Sequence, residues 1–136
     1  MRSLIFAYAG AALAMLVLDG LWLSFAARRL YRPQLGAILL DGYRGPPAAI
    51  FYFLYVAGIV VLAVMPGLAA DRWTFALTRG MALGLVAYGT YDLTNQATLR
   101  SWSTLVTIVD MGWGTLLTGI AASAGFVAAR WAASFF

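Results

Sequence analysis

No lysine, glutamate, histidine or cysteine occurs in the 136 residues: all nine basic residues are arginine and all five acids are aspartate. Without cysteine or histidine there is no thiolate nucleophile, imidazole base, disulfide, structural zinc site of the usual kind or ordinary axial haem ligand. The missing cysteines also leave the redox compartment unreadable. Charge of either sign is scarce. Charged residues make up 10% of the chain and apolar residues 63%, against about 25% and about 45–50% in soluble domains. With a mean hydropathy of +0.86, this is the composition of a membrane protein. The net charge of +4 does not point to nucleic acid. The arginines flank apolar runs, where anionic lipid headgroups are the natural partner.

Crossing the hydrocarbon core as a helix takes about 20 apolar residues. Four stretches qualify, near residues 4–27, 48–65, 75–99 and 105–129. Each must satisfy its own backbone hydrogen bonds in lipid, so each is read as a helix, and no alternating pattern suggests a β-barrel. The expectation is an all-α, integral membrane four-helix bundle forming one domain over residues 1–136. The first stretch is read as a retained span and not as a signal peptide. It contains Asp19, and Arg28-Arg29 follows it where a small-residue cleavage site would stand. Pro46-Pro47 suits the opening turn of the second helix and Pro66-Gly67 its end, while Ser101 and Ser103 can cap the fourth. The two later connections are short, which makes helices two to four antiparallel neighbours.

The first connection differs. Residues 28–45 hold Arg28, Arg29, Arg32 and Arg44 around an apolar stretch, Leu35–Leu40. Pro33 can open and Gly42 can close a short helix lying in the headgroup plane; a plain basic loop is the other reading. Arg100 lies on the same side as this loop, and Arg2, Arg72, Arg79 and Arg130 lie opposite. The positive-inside rule then puts loops one and three in the cytoplasm and both termini outside.

Asp19, Asp92 and Asp110 are the acids inside the spans. Each lies eight or nine residues from Arg28, Arg100 or Ser101, so each sits roughly 12–14 Å below the same membrane face at 1.5 Å per residue. A buried aspartate costs about 2.5–3.5 kcal/mol on insertion scales, so three at one depth are expected to face inward. There they would share protons, hold a cation or pair with Arg28, Arg44 or Arg100. Arg79, far from Asp92 along its helix, is expected to snorkel to the opposite face. Tyr88, Tyr91, Asp92, Asn95 and Leu99 follow helical spacing and share a face. Thr107, Asp110, Gly114 and Thr118 make a stripe of small and polar residues on the fourth helix. Asp19-Gly-Leu-Trp22 and Asp110-Met-Gly-Trp113 echo one another as Asp-x-x-Trp in antiparallel helices, a faint sign of inverted repetition. Trp22 and Trp113 are candidates to line the same site, with ordinary core packing as the alternative. A plainer reading makes Asn95, Gln96 and the threonines interhelical hydrogen-bonding partners only.

The run Tyr91-Asp92-Leu93-Thr94-Asn95-Gln96-Ala97-Thr98-Leu99, then Thr107-Ile108-Val109-Asp110-Met111-Gly112-Trp113-Gly114, resembles a bacterial membrane-protein family catalogued as domain of unknown function 2177. Leu18-Asp19-Gly20-Leu21-Trp22-Leu23 is similar to that family's first helix, and the resemblance covers essentially the whole chain. It implies a four-helix protein of the bacterial inner membrane and no established activity. Gln96 stands where a small or apolar residue is more usual.

The functional expectation is a small membrane protein whose buried carboxylate site binds or transports a small or lipid-like ligand, with proton coupling through the aspartates. Asp19, Asp92, Asp110, Asn95, Tyr88, Tyr91, Trp22 and Trp113 are the candidate ligand-binding residues. No cofactor and no resident metal are expected; membrane lipids and a second copy of the chain are the candidate partners. Two alternatives stand beside it: a lipid-modifying enzyme with one aspartate as base and another as acid, and a structural or assembly subunit.

Overall fold

The computed structural model describes residues 1–135 and is built from four long helices, with no strand among the described residues. They are α1 (Arg2–Leu35), α2 (Gly45–Ala69), α3 (Trp73–Thr98) and α4 (Thr104–Phe135). Three of them, α1, α2 and α4, are long and apolar enough to cross a membrane. α3 has the length, at 26 residues, but Arg79, Asp92, Asn95, Gln96 and five threonines dilute its apolar character. The expectation of four such segments is therefore met by three. α3 nevertheless packs along α4 from Gly80, near Gly119 and Ala122, to Gln96, whose Nε2 donates to Thr104 Oγ1 at 2.9 Å. It lies at the depth of its apolar neighbour.

α4 is the central helix, packed along both α1 and α3. Small residues permit this. A Cβ on Gly84 would sit 2.7 Å from Thr118 Oγ1 and overlap the Gly114 carbonyl. Without a hydrophobic effect between helices in lipid, such close backbone approach supplies the dispersion contacts that hold the bundle. The core is completed by Met15, Ile59, Val64 and Leu117, all fully buried.

Two helix ends differ from the expectation for one physical reason. Pro33 and Pro66 were natural boundaries, since an interior proline lacks a donor and clashes with the carbonyl four residues back. Here the helices run through both prolines. A widened π-helical turn precedes each one, Ala27–Tyr31 before Pro33 and Val60–Val64 before Pro66, and gives the ring room. α1 thus continues to Leu35, and residues 36–44 form turns and bends, not a separate interfacial helix. At Pro66, the carbonyl of Leu62 loses its ordinary partner. Arg79 Nε donates to it at 2.8 Å, so Arg79 reaches across to α2, where snorkelling was expected.

At the end away from loops one and three, Asp71 takes a left-handed backbone (φ 51°) in the α2–α3 turn and pairs with Arg130 at 2.6 Å. Both side chains are largely exposed, so the pair trims the turn more than it stabilises the fold.

Candidate functional site

Asp19 on α1 and Asp110 on α4 each receive a tyrosine and are joined through two tryptophans. Tyr52 donates to Asp19 Oδ2, and Trp113 Nε1 donates to Asp19 Oδ1 at 3.3 Å. Tyr31 donates to Asp110 Oδ1 and accepts from Trp22 Nε1 at 2.9 Å. The indoles of Trp22 and Trp113 stack, with centroids 4.6 Å apart and planes at 11°.

The two Asp-x-x-Trp segments are therefore cross-wired. Trp113 of the second serves the aspartate of the first directly. Trp22 of the first serves the aspartate of the second through Tyr31. Their echo in the sequence corresponds to a shared network between antiparallel helices.

Tyr31 reaches this network because the π-helical turn carries α1 past its expected end. Gln34, three residues on, accepts from Ser103 Oγ at 2.7 Å and ties the extension to the start of α4. None of Arg28, Arg44 or Arg100 pairs with a cluster carboxylate among the described residues. Hydroxyl and indole donors take the place foreseen for arginine.

Asp92 is of another kind. It has no exposed surface, and neither of its oxygens has a hydrogen-bond partner among the described residues. Asp110 lies within electrostatic reach of both Asp92 and Asp19. The three do not converge on a point, and no set of three acidic side chains among the described residues is placed to ligate a metal ion.

Beside this network lies a cleft of about 300 Å³ lined by Phe51 of α2, Ala87, Tyr88 and Tyr91 of α3, and Asp110 of α4. It exists because α2 is tied to α3 mainly through residues 60–69, whereas its stretch Gly45–Ile59 packs on α1 and α4. The two helices diverge toward loops one and three, leaving a wedge between them. Phe51 (47% exposed) and Tyr91 (61% exposed) stand at its mouth. Asp110, only 8% exposed, forms its polar end. Its Oδ1 is held by Tyr31, and among the described residues no donor bonds to Oδ2.

Of the residues expected at the site, the cleft thus gathers Tyr88, Tyr91 and Asp110. Asp19, Trp22 and Trp113 form the supporting network, Asp92 is enclosed, and Asn95 lies near the Tyr91 hydroxyl outside the lining. Gln96 closes the α3–α4 corner. Sequence reasoning missed Tyr31, Phe51 and Tyr52. Tyr31 was assigned to a loop, and Phe51 and Tyr52 lay in the aromatic run Phe51–Tyr55, read as span. The available signal was Tyr52 and Tyr55, hydroxyls three residues apart on one face; Tyr55 bonds Thr118 at 2.8 Å.

The family model for predicted membrane proteins of the DUF2177 type matches residues 4–127, and the chain belongs to that family. No curated protein and no solved structure matches it.

Proposed function

We propose that this four-helix member of the family is a ligand-binding protein of the bacterial inner membrane, taking an amphiphile from the bilayer into the wedge between α2 and α3. The observation that carries the reading is Asp110: a nearly buried carboxylate with one oxygen unclaimed, at the end of an otherwise aromatic and apolar cleft. Intramembrane acids that face a cavity mark ligand and ion pathways more often than fold determinants. The arginines of loops one and three face the cytoplasm, so the mouth opens toward the inner leaflet, and both termini lie outside. Aspartates at this depth are also the groups through which proton-coupled transport would run.

Photo-crosslinking with a diazirine-bearing fatty-chain lipid tests the reading. Adducts are expected on peptides containing Phe51 and Ala87–Tyr91, and Ala87→Trp, which fills the wedge, should reduce them several-fold. Uniform labelling around the bundle, unchanged by that substitution, would sink the proposal.

A further inference from the structure

We infer that the polar end of the cleft accepts an organic ammonium group, so that the ligand is a cationic amphiphile; this rests on the ligand-binding reading above. The first argument is charge. Asp92 and Asp110, both buried, and the half-buried Asp19 lie on neighbouring helices, and no arginine bonds to any of them among the described residues. Every group that does bond to Asp19 or Asp110 is a neutral tyrosine or tryptophan donor. Asp92, fully enclosed, has no donor among the described residues. A carboxylate taken out of water keeps its charge only with a positive group beside it and otherwise holds a proton, so an ammonium entering the cleft would find in Asp110 an acid that no arginine has claimed.

The second argument is the wall. Phe51, Tyr88 and Tyr91 present three aromatic rings to the cavity that ends on Asp110. Aromatic faces attract ammonium groups through the ring quadrupole, and more strongly where water is excluded. A carboxylate floor with aromatic sides is the chemistry that recognises an alkylammonium and rejects an anion.

The third argument is where positive charge has been placed. Arg28, Arg29, Arg32, Arg44 and Arg100 are exposed at the loop end, so an anionic headgroup finds its partners at the rim. The remaining volume, about 300 Å³, suits the head and upper chain of a single-tailed molecule, with the rest lying in lipid along the open wedge.

Isothermal titration of the full chain in neutral maltoside micelles, against dodecyltrimethylammonium, dodecyl sulfate and dodecanol, tests this. Heats of injection into protein-free micelles are subtracted. Saturable binding is expected for the ammonium probe, about tenfold tighter than for dodecanol, and none for the sulfate. Asp110→Asn should lose about tenfold for the ammonium probe alone. Phe51→Leu, at a half-exposed position where leucine keeps an apolar side chain against Tyr55, should weaken the ammonium several-fold and leave dodecanol unchanged. That contrast keeps the test decisive if the Asp110 variant does not fold. Dodecanol or the sulfate binding as tightly as the ammonium would overturn the cationic assignment and leave the amphiphile cleft standing. Saturable binding of none of the three would overturn both.

Discussion

Asp19 and Asp92 are both aspartates inside apolar helices, yet their surroundings make them respond oppositely to replacement. Asp19 accepts from Tyr52 and Trp113. Asp19→Leu strands both donors in a partly buried site, where each unsatisfied group costs about 1–3 kcal/mol. A clear fall in the thermal midpoint of the purified protein is expected. Asp92 satisfies nobody. Asp92→Leu removes a buried carboxyl without orphaning a partner, and so removes the cost of holding an unpartnered polar group in an apolar interior. The midpoint should hold or rise, and a fall comparable to that of Asp19→Leu would show that Asp92 has a structural partner. This difference was not legible in the sequence. Depth counting placed all three aspartates at one level below the same membrane face. Which one is bonded depends on Tyr31 and Tyr52, whose positions follow from helix continuity and packing that no local pattern encodes.

At the scale of the helix, the prolines are the instructive case. Hydropathy made the helices legible because a long apolar run in lipid has few alternatives, and the corner at Ser101–Ser103 fell where capping chemistry suggested. The ends at Pro33 and Pro66 were not legible. A proline reads as a stop unless a widened turn absorbs it, and the π-helical turns are stabilised by tertiary contacts. The Arg79–Leu62 bond is such a contact, and its worth can be isolated. Arg79→Met should destabilise the wild-type chain, because the Leu62 carbonyl loses its replacement donor. In a Pro66→Ala background the restored N–H can take over, and the same substitution should cost less. A double-mutant cycle is expected to show a coupling of about 1 kcal/mol between positions 66 and 79. Strict additivity would mean that Arg79 acts by something other than substituting for the missing donor.

At the scale of the molecule, α3 is the helix whose polarity sets it apart from the three that are apolar enough to cross a membrane. Its apolar content falls short of its neighbours', but its small residues let it lie flush on α4: Gly80 and Gly84 meet Thr118, Gly114 and Ala122 with no room for a Cβ. α3 therefore has a preformed protein surface for one of its faces, and its buried side includes Gly89 and Asp92. Gly84→Val should wedge the two helices apart, costing roughly 3 kcal/mol or more for forced overpacking, and would expose the polar face of α3 to lipid. The absence of native cysteine makes the crossing itself directly measurable. Ala70 and Ser101 flank α3 and are both exposed, so single variants Ala70→Cys and Ser101→Cys report its two ends without background. In intact cells a membrane-impermeant maleimide should label position 70, and position 101 should react only after the inner membrane is permeabilised. Labelling of both from one side would mean that α3 does not cross, and the wedge between α2 and α3 would then no longer open within the bilayer. Labelling with the sides exchanged would keep the crossing and reverse the orientation assigned from the arginines.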